Sequence, residues 1–211
     1  MRDGLGFVPE RAERAAARAA LGVPEDAFAV AVLGRLSTWK GQDVLVRAVA
    51  RLPGAVALIA GDAWRGEERR SRELSQLAAS LGAGERVLQL GFREDVGTVI
   101  GAADVVAVPS THPDPLPNSA LESAAAGCCV VASAHGGLPE ILRDGETGVL
   151  VAPGDPVALA DALAALRDDP ARRAALGAAA ARDVSERFAP AALLDAVQAL
   201  YDRLTLPRDR Q

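Results

Sequence analysis

Six short apolar runs, each continuous rather than alternating, constrain this chain more than any other feature: FAVAVLG from Phe28, AVALIAG from Ala55, RVLQLG from Arg86, DVVAVPS from Asp104, CCVVAS from Cys128 and GVLVAP from Gly148. A strand with one wet face alternates polar and apolar residues, whereas a strand covered on both faces does not, and parallel sheets clad by helices are of the second kind. Between the runs lie helical patterns at about Gln42 to Arg51, Glu67 to Leu81, Glu94 to Ala102, Asn118 to Ala126 and Leu138 to Leu142. This order predicts an α/β fold, a doubly wound parallel sheet of about six strands. After Pro153 only helices are expected. Asp155 or Pro156 opens one, Asp168-Asp169-Pro170 separates it from an alanine-rich second, and Phe188 to Pro190 precedes a last one ending near Leu204. The expected organisation is a lead-in over residues 1–27, a body over 28–188, and a final helix and tail over 189–211.

Composition narrows the partners. With 50% hydrophobic and 24% charged residues in 211, the chain can bury a real core. A net charge of -5 and 3% aromatic residues argue against a nucleic-acid binder, so an anionic ligand must be held by a local site. No apolar run is long enough to span a bilayer and the first twenty residues are too charged for a signal peptide, which predicts a cytoplasmic protein. Cys128 and Cys129 are adjacent, lack zinc-site spacing, and read as small apolar residues of a buried strand. Of the 23 basic residues only Lys40 is lysine, either a survivor of an arginine-favouring genome or a place where a compact charge is wanted.

In an open α/β sheet ligands bind beyond the carboxyl ends of the strands, near the switch point in strand order. The unusual residues follow the runs: Gly34, Arg35, Lys40 and Gly41 after the first, Gly61 and Asp62 after the second, Gly91 and Phe92 after the third, and the loop Pro109 to Pro117 after the fourth. Arg35 and Lys40, with a helix N-terminus at Pro117 to Ala120, would together suit a diphosphate; Pro117 offers no N–H, but Asn118, Ser119 and Ala120 do. Asp114 could meet a sugar ring and Glu122 the hydroxyls of a ribose, although either alone reads equally as a helix-dipole partner or a surface charge. His112 could donate to a sugar or phosphate or have no role, and His135, before Gly136-Gly137, reads as a turn residue. Trp64 could stack on a ligand but reads more readily as a partly buried loop anchor. The chain has no GxGxxG after its first run, no GxxxxGK[ST] and no GxSxG, which removes the defining loops of dinucleotide dehydrogenases, P-loop NTPases and serine hydrolases.

Gly34-Arg35-Leu36-Ser37-Thr38-Trp39-Lys40-Gly41, the Pro109-Ser110 loop with Asp114 and Glu122, then AAAGCCVVAS, GGLPEIL, DGETGVLV and DPVALADAL closely resemble the C-terminal domain of the group 1 glycosyltransferases, from about Val23 to Phe188. The resemblance implies the Rossmann-like C-terminal half of a GT-B fold and transfer of a sugar, with retention, from a nucleoside diphosphate sugar linked to UDP, GDP or ADP. It implies no cofactor and no required metal. In that likeness Arg35 and Lys40 hold the diphosphate, Glu122 binds the ribose hydroxyls, and Gly34 belongs to the donor-binding set. The loop of Asp114, Pro115, Leu116, Pro117 and Asn118, with Ser119, touches sugar and phosphates. Gly61 lies nearby, and Gly91, Phe92 and Arg93 sit beside the base. Arg35, Lys40 and Asp114 would carry the catalytic contacts. The family's usual first carboxylate is Glu in an E-x7-E pattern; here it is Asp114, one methylene shorter, and the common glycine three residues later is Pro117. Cys129 replaces the proline usual before the VV strand.

The implied partner is an N-terminal acceptor domain absent from this chain, through which an acceptor at a membrane surface could be reached. The chain alone is then expected to bind nucleotide without transferring sugar, and the lead-in and the final helix, which would ordinarily connect to or pack on that absent domain, are expected to leave their apolar faces exposed or satisfied by self-association. Two other readings compete. One is a nucleotide-sugar epimerase of the same architecture, which should lack the DPLPNSALES loop; the other is a non-enzymatic nucleotide-sugar sensor, favoured if the gene begins at Met1.

Overall fold

The computed structural model describes residues 8–64 and 69–205. Residues 1–7 of the expected lead-in, the expected helix start at Glu67 and residues 206–211 lie outside the described residues. The strands are β1 (Phe28–Leu33), β2 (Ala55–Ala60), β3 (Val87–Gly91), β4 (Val105–Val108), β5 (Cys129–Ser133) and β6 (Val149–Val151). They form one sheet in the order β3-β2-β1-β4-β5-β6, with every pairing parallel. Around it lie α1 (Arg14–Leu21), α2 (Gln42–Ala50), α3 (Arg69–Ser80), α4 (Val96–Ala102), α5 (Asn118–Ala125), α6 (Leu138–Ile141), α7 (Pro156–Asp168), α8 (Pro170–Arg187) and α9 (Pro190–Thr205).

The continuous apolar runs follow from burial on both faces. Ala29, Ala31, Val106, Val108, Val130 and Ala132 enter one core with residues of α4, α5, α6 and α8. Their neighbours Val30, Val32, Val105, Ala107, Cys129 and Val131 enter a second core with Leu45 and Val49 of α2 and Leu159 and Leu163 of α7. Successive strand residues point to opposite faces, so each run feeds both cores. Cys128 and Cys129 divide in the same way, one to each core, both buried. Burial pushes the Cys128 thiol up to about 11 and the Cys129 thiol up to about 12, consistent with inert packing residues.

The helical breaks in the second half obey cap chemistry. Asp155 accepts hydrogen bonds from the N–H groups of Val157 and Ala158, and Asp169 accepts from that of Arg172; Pro156 and Pro170 follow as first helical residues.

The opening helix differs from its expected place. The sequence left its apolar face to a missing domain, but α1 lies on α4 of this domain and Ala17 is buried in the first core. Gly97 and Gly101 of α4 permit this, because a Cβ on either would stand 2.0 Å from Glu10 O or 2.5 Å from Ala12 O. Arg18, 2% exposed, completes the seal by donating to the carbonyls of Ala102, Pro24, Glu25 and Ala27 and to Asp104. On α9, by contrast, Leu194, Val197, Leu200 and Tyr201 are exposed, as expected.

Candidate functional site

The chain leaves β1 towards β2 on one side and leaves β4 towards β5 on the other, so the loops after these adjacent strands diverge and open a crevice at the switch point. The crevice has a volume of 490 Å³, within the range of small-molecule sites. Gly34, Arg35 and Lys40 line it after β1, Gly61 after β2, Phe92 and Arg93 after β3, and Asp114, Leu116, Pro117, Asn118, Ser119 and Glu122 after β4. Lys40 and Glu122 therefore share one end of the sheet. Gly91 and Pro115, expected in this set, do not line it: the Gly91 carbonyl accepts from Gly61 N at 2.7 Å, and Pro115 packs under Gly137.

The two loops are locked together by backbone. Gly41 has φ 74°, and a Cβ there would lie 1.9 Å from Pro109 O, so only glycine allows the approach. Thr111 N donates to Trp39 O at 2.8 Å. Gln42, wholly buried, donates from Nε2 to Arg35 O at 2.8 Å and fixes the backbone of that cation. The turn after β5 supports the other wall. His135 Nε2 lies 2.7 Å from Ser110 O, Gly137 N donates to Asp114 O, and a Cβ on Gly137 would stand 1.9 Å from Pro115 O. His135 stands at the turn the sequence predicts, and its ring also ties that turn to the site loop. The Gly136-Gly137 pair was the available signal, since adjacent glycines mark close backbone approach.

The side chains depart from the expected roles in three respects. Lys40 and Asp114, assigned separately to phosphate and sugar, form an ion pair at 2.6 Å, with side chains 20% and 11% exposed. The methylene missing from Asp114 relative to Glu thus coincides with a carboxylate close to the ammonium. Ala120 was expected to offer its N–H at the α5 N-terminus, but donates it to Pro117 O at 3.0 Å; Asn118 and Ser119 remain in the crevice wall. Trp64, expected as a partly buried anchor, is 61% exposed, and the Arg35 guanidinium carbon stands 4.7 Å from its ring centroid. On the far wall Arg93 forks onto Asp95 through Nε at 2.8 Å and Nη2 at 2.5 Å. That hydrogen bonding raises the Arg93 guanidinium and lowers the Asp95 carboxyl from their ordinary values. His112 is exposed and lies 3.1 Å from Thr111 Oγ1, outside the crevice lining.

The crevice therefore brings together the cations Arg35 and Lys40, a helix N-terminus, and the carboxylates Asp114, paired, and Glu122, half-buried. The cations and N–H groups suit a diphosphate, and a carboxylate can accept two hydroxyls. Among the described residues no three His, Cys, Asp or Glu side chains gather as a metal site requires, and no helix is long and apolar enough to cross a membrane.

Comparison with known proteins agrees with this geometry. The family described as glycosyl transferases group 1 matches residues 13–183. A D-inositol 3-phosphate glycosyltransferase of Mycolicibacterium paratuberculosis is 42% identical over 193 residues, covering 90% of this chain and 44% of that protein. The crystal structure of Anabaena Alr3699/HepE in complex with UDP and glucose superposes with a TM-score of 0.85 at 33% identity, over 95% of this chain and 55% of that one. The C-terminal domain of a group 1 family glycosyl transferase, LpcC from Francisella tularensis, gives a TM-score of 0.75 at 27% identity, over 86% of this chain and 96% of that one. The chain thus spans about half the length of the longer proteins it matches, and the match favours a transferase over the competing epimerase.

Proposed function

Since the chain belongs to the group 1 glycosyltransferases, we propose that it is the donor-binding half of a retaining enzyme that moves a sugar from a nucleoside diphosphate sugar to an acceptor. One observation carries the reading: Arg35, Lys40, the α5 N-terminus and Glu122 converge on one crevice at the switch point of the sheet. The diphosphate lies against the two cations and the N–H groups of Asn118 and Ser119, while Glu122 accepts the ribose hydroxyls. The ammonium of Lys40 has three donors, so it can keep Asp114 and take a phosphate oxygen together. Asp114, its charge balanced by that shared lysine, accepts a hydroxyl of the donor sugar. As the bond from the anomeric carbon to the diphosphate breaks, its electron pair passes to a phosphate oxygen, where Arg35 and Lys40 stabilise the growing charge, while the acceptor oxygen bonds to that carbon and its proton passes to the departing phosphate.

A relative of 33% identity is solved with UDP and glucose, which makes UDP the first nucleotide to test. The acceptor would be met by the other half of the whole protein, and the relatives named for D-inositol 3-phosphate make a phosphorylated polyol the first acceptor to try. Calorimetry of this chain against UDP, GDP and ADP tests the reading: one of the three binds in about the micromolar to millimolar range, and sugar transfer by the chain alone is absent. Binding of none of them, or robust transfer by the 211-residue chain, overturns it.

A further inference from the structure

Both tryptophans of the chain lie beneath cations of the crevice: Lys40 Nζ stands 4.6 Å from the Trp39 ring centroid, and the Arg35 guanidinium carbon 4.7 Å from that of Trp64. The two cases differ. Lys40 is already held by Asp114 at 2.6 Å, so its indole is a second support. For Arg35 the indole is the side-chain contact that the described geometry shows at the guanidinium.

Backbone pairing places Trp64 there. The β1–β2 ladder continues past both strands, with Gly34 N donating to Ala60 O at 2.9 Å, Leu36 N to Asp62 O at 3.0 Å, and a parallel bridge between Leu36 and Ala63. Trp64 follows that bridge directly, and with 61% of its surface exposed it contributes little to any core. At its other end Arg35 is fixed by the buried Gln42, which donates to the Arg35 carbonyl. The side chain is thus held at the backbone by one residue and at the head by another, in the wall between the 490 Å³ crevice and a neighbouring 350 Å³ cavity.

We infer that Trp64 is a positioning residue: its indole face holds the Arg35 guanidinium so that its edge meets the diphosphate. A guanidinium stacked on an aromatic face keeps its N–H donors in its own plane, so stacking and phosphate binding do not compete. A head held in this way also loses less freedom when the ligand arrives. The inference rests on the reading that Arg35 contacts the donor diphosphate.

The test compares UDP with uridine on the intact chain, by calorimetry, for Trp64→Leu and Trp64→Tyr. Trp64→Leu weakens UDP binding by about two- to fivefold and leaves uridine unchanged, while Trp64→Tyr, which keeps an aromatic face, restores most of the loss. Trp39→Phe leaves Trp64 as the single tryptophan, whose emission then changes with UDP and not with uridine. Because Trp64 is exposed, melting temperatures stay near that of the parent; should Trp64→Leu fail to fold, the tyrosine variant and the emission measurement decide. If the parent chain binds none of UDP, GDP and ADP, the donor reading falls and this inference with it; if it binds GDP or ADP in place of UDP, the same comparison is made between that nucleotide and its nucleoside. If the parent binds UDP but Trp64→Leu binds it as tightly or more tightly, loses uridine equally, or is not rescued by tyrosine, the positioning role alone falls.

Discussion

The two ends of the sheet use the same residue types for opposite purposes. At the amino end Asp104 takes Arg14 at 2.6 Å, Arg18 at 2.8 Å and Arg173 at 3.5 Å, and accepts the N–H of Ala29 at 2.8 Å. Arg18 places its remaining donors on four carbonyls. At the carboxyl end Arg35 and Lys40 face a crevice, supported by indoles and, for Lys40, by the carboxylate of Asp114. A buried ion cluster costs desolvation and returns it only when every donor and acceptor is matched. The amino end meets that condition internally and fastens α1 to the domain; the carboxyl end keeps its polar groups at an open wall, where a ligand can match them.

The largest expected effect breaks the closed end. Arg18→Ala leaves the Asp104 carboxylate short of a buried partner and costs about 3–5 kcal/mol of folding stability, read from urea unfolding. Nucleotide affinity of the molecules still folded stays unchanged. A loss of stability below 1 kcal/mol would show, on the order used for exposed pairs, that α1 is dispensable to the fold.

At the open end the ranking reverses. Lys40→Ala removes a charge-assisted contact worth about 1.5–3 kcal/mol to the ligand, so nucleoside diphosphate affinity falls by about tenfold or more with little change in the urea midpoint. Equal losses of stability and affinity would mean that the Lys40–Asp114 pair is a structural cluster like that of Asp104.

The smallest effect concerns how well the amino end is sealed. Cys128 and Cys129 stand at the start of β5, with thiols raised to about 11 and about 12 by burial. A raised pKa contributes stability that is fully present below the unfolded thiol value of about 8.5 and is lost as pH rises through the folded values. Stability is therefore insensitive to these thiols at pH 7 and declines in alkali, and an alkylating reagent labels neither cysteine until the chain unfolds. Rapid labelling of the native chain at pH 8 would contradict the closed amino end.

Much of this contrast was not visible in the sequence, for physical reasons. The strands were legible because burial on both faces leaves a local trace, and the starts of α7 and α8 because Asp155-Pro156 and Asp169-Pro170 are local cap signals. The carboxyl-end residues could be found because they follow directly on core strands. The Asp104 cluster could not, since its arginines come from 69 to 90 positions away and each alone reads as a surface charge. The Lys40–Asp114 pair spans 74 positions and joins two loops whose meeting depends on strand order. Trp64 was misjudged because a large indole in a loop ordinarily signals burial, whereas the ladder beyond β1 and β2 carries it outward to Arg35.

The central claim, that the carboxyl end is the open and binding end, is tested most directly by following backbone amide resonances of the chain during a UDP titration. The account predicts saturable shifts confined to Gly34–Gly41, Gly61–Trp64, Gly91–Arg93 and Asp114–Glu122, with the amides of Arg18, Ala29 and Asp104 unmoved. Shifts centred on Arg18, Ala29 and Asp104, or none at saturating UDP, GDP and ADP, would contradict it.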